Sequence, residues 1–529
     1  MKSEHKEWIM QEVVKRVLND KVVKTSKMPL ETIIHDTIYH EKKRLDQEKR
    51  SKRTLQESQY WKKLHKKMLS GNEEEKKNLI QEIISRFAHE IVGNFNPKVY
   101  SFSTKILPIG LSILLNTISP GVLFSHFPKL PDVSDRLIIQ GEIELIQTLQ
   151  NLGTIILVPN HNSNMDSIAM GLAIHKIQLP PFIYGAGLNL FSNSVISYFM
   201  NNLGAYKVDR KKTASLYKDT LKEYATCTLE CGYHNLFFPG GTRSRSGEIE
   251  DHLKLGLLGT GIKAYITNLQ KGKEKPNIFV VPCTISYQLV LEAEHLIEDY
   301  LKSTGKSRYI IEDDEFSKLR RILNFLTSIL QLDSRICVRF CPAMDLFGNR
   351  VDKQGISYDK RGRIVDISRY TWVDGKVDHE PQRDMQYTKE LAEQIKKSYY
   401  KNNVIMSTHL VAFVVFHLLK RHHPEMDLYR LLRTVKEDDL PLREVYESME
   451  KVLARIKKMV ANGDICLDEH IKNLSVDAIC DEALKHFRIY HSKVALLRQG
   501  DHLYPQDPDL LFYYSNRLKN YELEKGMEG

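Results

Sequence analysis

Three hydrophobic rhythms follow one another along the chain. From residue 5 to about 95, apolar side chains return every three or four positions among acidic and basic ones, as in Leu79, Ile80, Ile83, Ile84, Phe87 and Ile91. That period predicts amphipathic helices, each with one buried stripe. From about 135 to 345 short β-branched runs alternate with helical stretches. The strand candidates are Thr154–Pro159, Phe182–Tyr184, Asn235–Phe238, Ile278–Ser286 and Ile336–Phe340, and helices are expected over Ser215–Cys231 and Gly256–Asn268. Alternating β and α elements predict an α/β fold, a sheet with helices packed on it. From about 383 the helical rhythm returns and includes the very apolar Val404–Leu419.

Two stretches break these rhythms. Between Lys105 and Lys129 lie 23 residues, Ile106 to Pro128, with no Asp, Glu, Lys or Arg. The length would span a bilayer, but Pro108, Gly110, Pro120 and Gly121 interrupt it, and Asn116, Ser119 and His126 are polar. A shallow or re-entrant membrane contact is the favoured reading, ahead of a buried core helix and a true span. Residues 346–380 are rich in turn formers, and Asp374-Gly375 between Tyr370–Val373 and Lys376–His379 predicts a hairpin. The expected organisation is therefore a helical basic region (1–104), an apolar membrane-contact segment (105–130), an α/β core (131–345), a turn-rich hairpin region (346–382) and a helical C-terminal region (383–529).

Charge adds a location. The 529 residues carry a net +10, and residues 1–70 alone hold 18 Lys and Arg against 10 Asp and Glu, densest from Lys42 to Lys67. A nearly neutral body argues against a nucleic-acid protein that binds through its globular face. The basic arm suits anionic lipid headgroups, or else is a solvated helical face. Met1–Glu7 runs into Trp8–Leu18 without a long apolar core, so no secretory signal is expected. Seven cysteines in so long a chain do not make a disulfide scaffold. The two C-x3-C pairs, Cys227/Cys231 and Cys337/Cys341, have no His-x3-5-His nearby to complete a zinc site, so no metal is expected.

The candidate chemistry follows predicted strands. After Thr154–Pro159 comes Asn160-His161-Asn162-Ser163-Asn164-Met165-Asp166. In one continuous helix, residues five apart point about 140° away from each other. His161 and Asp166 therefore meet only if the histidine lies in a loop and the aspartate in the first helical turn, where Asp suits the positive end. The pair is then either a general base with its tautomer-fixing carboxylate or a capping Asp with an incidental His. After Asn235–Phe238 comes Pro239-Gly240-Gly241-Thr242-Arg243-Ser244-Arg245-Ser246-Gly247. Its two glycines admit close main-chain approach, and its arginines and hydroxyls supply donors. The composition is that of a phosphate cradle, without a Walker string; the bland alternative is a basic surface turn. Gly204–Lys211 offers Lys207 and Arg210 as a second anion contact or a solvated loop. Val281 and Pro282 lie in an apolar run whose proline suggests a strand end or bulge; that run is either a wall for an acyl chain or an ordinary core strand.

These four stretches, in this order, resemble the glycerolipid acyltransferase superfamily: His161-Asn-Ser-Asn-Met-Asp166, Gly204-Ala-Tyr-Lys-Val-Asp-Arg210, Phe238-Pro-Gly-Gly-Thr-Arg-Ser-Arg-Ser-Gly247 and Val281-Pro-Cys-Thr-Ile-Ser-Tyr287. Tyr387-Thr-Lys-Glu-Leu-Ala-Glu-Gln-Ile395 and Asn403–Phe413 look like the tail of its glycerol-3-phosphate and dihydroxyacetone-phosphate acyltransferase branch. The resemblance covers roughly 130–425 and implies a mixed sheet flanked by helices. It implies acyl transfer from an acyl thioester (acyl-CoA or acyl-carrier protein) to the sn-1 hydroxyl of glycerol 3-phosphate, with neither metal nor bound cofactor.

In that reading His161 is the base and Asp166 its partner. Gly204, Lys207, Arg210, Gly241, Thr242, Arg243, Arg245 and Ser246 bind the acceptor, and Val281 and Pro282 line the acyl chain. The family usually has a glutamate where this chain has Gly240, a carboxylate that the resemblance assigns to the acceptor's glycerol backbone. The alternatives are acylation of lysophosphatidate or dihydroxyacetone phosphate, or an inactive scaffold on a lipid surface. Together with the basic arm, the resemblance leads to the expectation of a membrane-associated protein at the cytoplasmic face, touching phospholipid and not nucleic acid.

Overall fold

Residues 3–23, 29–103, 136–191, 194–304, 334–489 and 494–527 are described by the computed structural model. The expected membrane-contact stretch, 106–128, lies outside them. Seven strands form the central sheet: β1 (Leu137–Gly141), β2 (Thr154–Pro159), β3 (Ile183–Gly187), β4 (Ala205–Val208), β5 (Asn235–Leu236), β6 (Ile278–Tyr287) and β7 (Ile336–Phe340). Their order is β1-β7-β6-β2-β5-β3-β4. All neighbours are parallel except β6 and β7, so the sheet is mixed. Every residue of β2 and β6 is buried, as central strands covered on both faces require. Around β2 the chain switches direction: it leaves β2 for β3 on one side and returns from β5 to β6 on the other. The crevice at the carboxyl ends of such strands is where open α/β sheets take ligands.

Helices in the sheet's links position its strand ends. Helix α5 (Asp166–Lys176) follows β2, α6 (Ser215–Glu230) precedes β5, and α7 (Leu255–Gln270) precedes β6. The helical reading of the N-terminal region corresponds to α1 (Ser3–Val23), α2 (Leu30–Gln47), α3 (Lys52–Ser70) and α4 (Glu73–Ile91). Helix α4 starts on a capping box between Asn72 and Glu75, with three glutamates in its first turn. Its stripe of Ile80, Ile83, Ile84, Phe87 and Ile91 is fully buried with Trp61 and continues into Tyr206 of β4 and Tyr224 of α6. Ion pairs reinforce that contact. Arg16 of α1 reaches Glu230 at 2.9 Å and Glu223 at 3.2 Å, both on α6. Part of the N-terminal positive charge is thus matched by acids of the core, while Lys52, Arg53, Lys62, Lys63, Lys66 and Lys67 of α3 stay exposed.

The sequence reading differs from the structure in three places. Strands β1 and β4 were not expected, being short runs without alternation, and Gly204–Lys211, offered as a second anion contact or a solvated loop, contains β4. Pro282 lies inside β6; its carbonyl accepts the amide of Cys341, just past the end of β7, so the interruption falls on the partner's side. The C-terminal region is not wholly helical. It has α8 (Pro381–Lys401), started by Glu380 capping with Pro381 in the first turn, and α9 (Ser407–His422). It also has the hairpin Leu496–Gln499/His502–Pro505 and a parallel pair, Val404–Ile405 with Cys466–Leu467. The Asp374-Gly375 hairpin forms, joining Trp372–Val373 to Lys376–Val377, with φ of 48° and 79° at the two turn residues. Residues of α8, α9 and the last helix, α10 (Pro508–Ser515), share one hydrophobic core with the sheet.

Candidate active site

The end of β2 carries the candidate base. His161 follows the strand in an irregular loop, and Asp166 is the first residue of α5, so the five-residue spacing closes without helical geometry. His161 Nδ1 and Asp166 Oδ2 are 2.8 Å apart. The same carboxylate oxygen accepts the amides of Asn162 (2.7 Å) and Ser163 (2.9 Å), and Oδ1 accepts the Tyr287 hydroxyl at 2.6 Å. Asp166 is fully buried, and all these contacts are donors, so an acceptor-only carboxylate fits. It accepts a hydrogen bond from Nδ1–H of the imidazole, which leaves Nε2 as the basic nitrogen. The ring stacks on Phe238 with centroids 4.2 Å apart. Burial holds the imidazole below its usual range; Asp166 opposes this, while the positive charges of Arg243 and Arg210 add to it. A neutral base at neutral pH is the result.

The turn after β5 lies beside it, because β5 is hydrogen-bonded to β2. Gly241 N–H closes the turn on the Phe238 carbonyl, and Gly241 has φ +74°, where a side chain is strained. The following segment folds back over both glycines. A Cβ at Gly241 would stand 2.7 Å from Lys254 Nζ, and one at Gly240 would stand 2.6 Å from both carboxyl oxygens of Glu250. Lys254 therefore brings an ammonium to the cradle that its place in the sequence did not announce. Arg243 is fixed by Glu292: Nη1 donates to Oε1 at 3.1 Å. Glu292 also accepts the Ser163 hydroxyl (2.8 Å) and the Asn164 amide (3.0 Å), bracing the histidine loop against the arginine. Burial pushes the Glu292 carboxyl up, and Arg243 opposes it.

The expected acceptor-binding residues divide. Arg210, two positions past β4, lies beside Gly187 at the end of β3, and its charge reaches His161. Thr242 and Arg245 are exposed on the turn. Lys207 sits with Nζ 5.3 Å from the Phe191 ring centre. Gly204 precedes β4 and so lies at the opposite end of the sheet, beneath Phe182; its positive φ of +91° explains the glycine. Ser246 is buried under the C-terminal tail, with its carbonyl accepting Asn516 Nδ2 at 2.9 Å and its hydroxyl accepting the Glu248 amide. Val281 and Pro282 are interior to the sheet, opposite Leu157 and Val158, so the structure places them as core rather than as an open wall.

Sequence reasoning missed Glu250, Lys254, Glu292 and the buried Arg517 from the tail. Arg517 donates to Asn403 Oδ1 (2.7 Å), the Ile285 carbonyl (3.2 Å) and Asn162 Oδ1 (3.3 Å), next to the base. Tyr287 stood in a quoted string without a role. No periodic signal marks these residues; each is recognised by a partner distant in sequence.

The histidine–aspartate pair at one strand end thus has clustered cations at the neighbouring strand ends. Residues 141–286 match the family model described as Acyltransferase. The matched stretch holds both β2 with the His161 loop and the turn after β5. Glycerol-3-phosphate acyltransferase of Pseudomonas paraeruginosa is 27% identical over 231 residues, which cover 44% of this chain and 24% of that protein. The enzyme of the same name from Alteromonas mediterranea is 31% identical over 188 residues, 35% of this chain and 22% of that protein. Dihydroxyacetone phosphate acyltransferase of Mus musculus is 28% identical over 152 residues, 28% of this chain and 22% of that protein. The chain thus spans about a quarter of the length of the curated relatives it matches.

Proposed function

We propose that the protein moves a fatty acyl group from an acyl thioester, acyl-CoA or acyl-carrier protein, to the sn-1 hydroxyl of glycerol 3-phosphate. The observation that carries this reading is the buried His161–Asp166 pair at the end of β2, within reach of the charges of Arg210 and Arg243. The names of the relatives support the acceptor. In the proposed step, Nε2 of His161 takes the hydroxyl proton as the oxygen attacks the thioester carbonyl. Asp166, steadied by Tyr287, stabilises the imidazolium. The carbon–sulfur bond then breaks, and the departing thiolate recovers the proton from Nε2. Arg210, Arg243 and Lys254 hold the acceptor phosphate and keep its hydroxyl beside the base. No step draws on a metal or a bound cofactor.

The test is incubation of the full chain with a labelled acyl donor and, separately, glycerol 3-phosphate, dihydroxyacetone phosphate and lysophosphatidate. Label is expected in the glycerol 3-phosphate product. Label in another product alone overturns the choice of acceptor, and no labelled product with any of them overturns acyl transfer.

The same reading sets the protein at the cytoplasmic face of a membrane. Its support is the exposed cationic side of α3, which suits anionic headgroups; no described helix is long and apolar enough to cross a bilayer. Co-sedimentation with vesicles containing anionic phospholipid is expected, and either added salt or reversing Lys62, Lys63, Lys66 and Lys67 to Glu weakens it. Binding indifferent to both moves the contact away from α3.

A further inference from the structure

Both main-chain polar groups of His161 are bonded to one segment. Its carbonyl accepts the Ser244 amide at 2.7 Å, and its own amide donates to Glu250 Oε1 at 2.8 Å. Glu250 reaches that amide only because position 240 has no side chain: a Cβ there would stand 2.5 Å from the carboxyl carbon. The second oxygen, Oε2, is enclosed and has no hydrogen-bond partner. Burial pushes the carboxyl up to about 8, against the opposing His161 amide. A fold that shelters a carboxyl at such expense of solvation holds it there for a contact.

We propose that Glu250 is a positioning residue: its carboxyl, seated in the space Gly240 leaves, anchors the main chain at His161 so that the ring stays on Asp166. The inference rests on the acyl-transfer reading of the same site. Three restraints then fix the base, one on each side of its main chain and one on Nδ1. Gly240 and Glu250 act as a single device, since any side chain at 240 displaces the carboxyl from its seat. The closed turn on the Phe238 carbonyl keeps the glycine there.

The test is a double-substitution cycle read in two ways. Glu250→Ala is expected to lower kcat roughly 10- to 100-fold, as misplacing a catalytic group does, with KM for the acceptor within about 3-fold of wild type. Glu250→Gln keeps an acceptor for the His161 amide and is expected to restore kcat to within about 3-fold of wild type. Gly240→Ala is expected to reproduce the Glu250→Ala loss, and the double variant to be no slower than either, because both remove one contact. Should Glu250→Ala not fold, Glu250→Asp, too short to reach the amide, takes its place.

The second reading needs no turnover. Hydrogen exchange at the His161 amide is expected to quicken at least about 10-fold in the Ala variants and not in Gln. Independent, additive losses at 240 and 250, a change confined to KM, or unchanged exchange at His161 each overturn the proposal. Wild-type protein that acylates no acceptor overturns the acyl-transfer reading instead, and the exchange measurement still decides the anchor.

Discussion

His161→Ala is expected to cut acyl transfer by about 10²- to 10⁴-fold, the usual contribution of a general base, while acceptor binding survives. The proposed phosphate contacts come from other strand ends, and the ring itself stacks on Phe238 and bonds to Asp166. Calorimetric titration with glycerol 3-phosphate beside a labelled-acyl assay separates the two effects; near-normal turnover in the variant ends the role assigned to this side chain. The wild-type pH profile carries the same signature. In the free protein, burial first and then Arg243 and Arg210 hold the imidazole below its ordinary 6.5. Because its folded pKa is lowered, the basic form persists as pH falls, and kcat/KM declines only below about 6.5. A bound phosphate offsets the two arginines, so the acid limb of kcat lies at higher pH than that of kcat/KM. Coincident limbs would contradict the placement of the phosphate beside the base.

The second large effect is expected from the tail. Arg517→Ala should destabilise the protein by about 2–4 kcal/mol, because buried acceptors lose a charged donor. Asn162 Oδ1 and Asn403 Oδ1 would be left without it, whereas the Ile285 carbonyl keeps Asn162 Nδ2 at 2.6 Å. Burial lowers the affinity of the guanidinium for its proton, and the nearby Glu250 and Asp166 carboxyls help retain it. Arg517→Lys keeps a charge but not the planar fork that spans three acceptors, so it should recover less than half of the loss. Urea midpoints at constant slope measure both. An unchanged midpoint for the alanine variant would mean that the tail does not support the site.

The parts of this site that follow strands were legible in the sequence because they are local. A six-residue apolar run followed by Asn160–Asp166 carries its own geometry, and so does Phe238–Gly247. The helical head was legible from the stripe of α4. What stayed hidden joins distant residues. The Glu250 bond spans 89 positions, the Tyr287 bond 121, the Ser163–Glu292 bond 129 and the Arg517–Asn162 bond 355. An acid in the run Glu248-Ile-Glu250-Asp251 after a Gly- and Ser-rich turn reads as solvated, and only the folded chain brings Glu250 to the space at Gly240. Short strands such as β4 carry too few residues for a period of two to register, and Gly204, grouped with the site by the resemblance, lies at the other end of that strand.

The bond from Arg517 to Asn162 also has a meaning in time. A growing polypeptide emerges N-terminus first, and at about 5–20 residues per second the ribosome needs roughly 10–45 s to pass from residue 286, the end of the matched stretch, to this arginine. During that interval the base loop has been made, but the support for Asn162 from the tail has not. The nascent chain therefore carries every strand-end residue of the site well before it can carry a finished site, and the side-chain oxygens of Asn162 and Asn403 await a donor not yet translated.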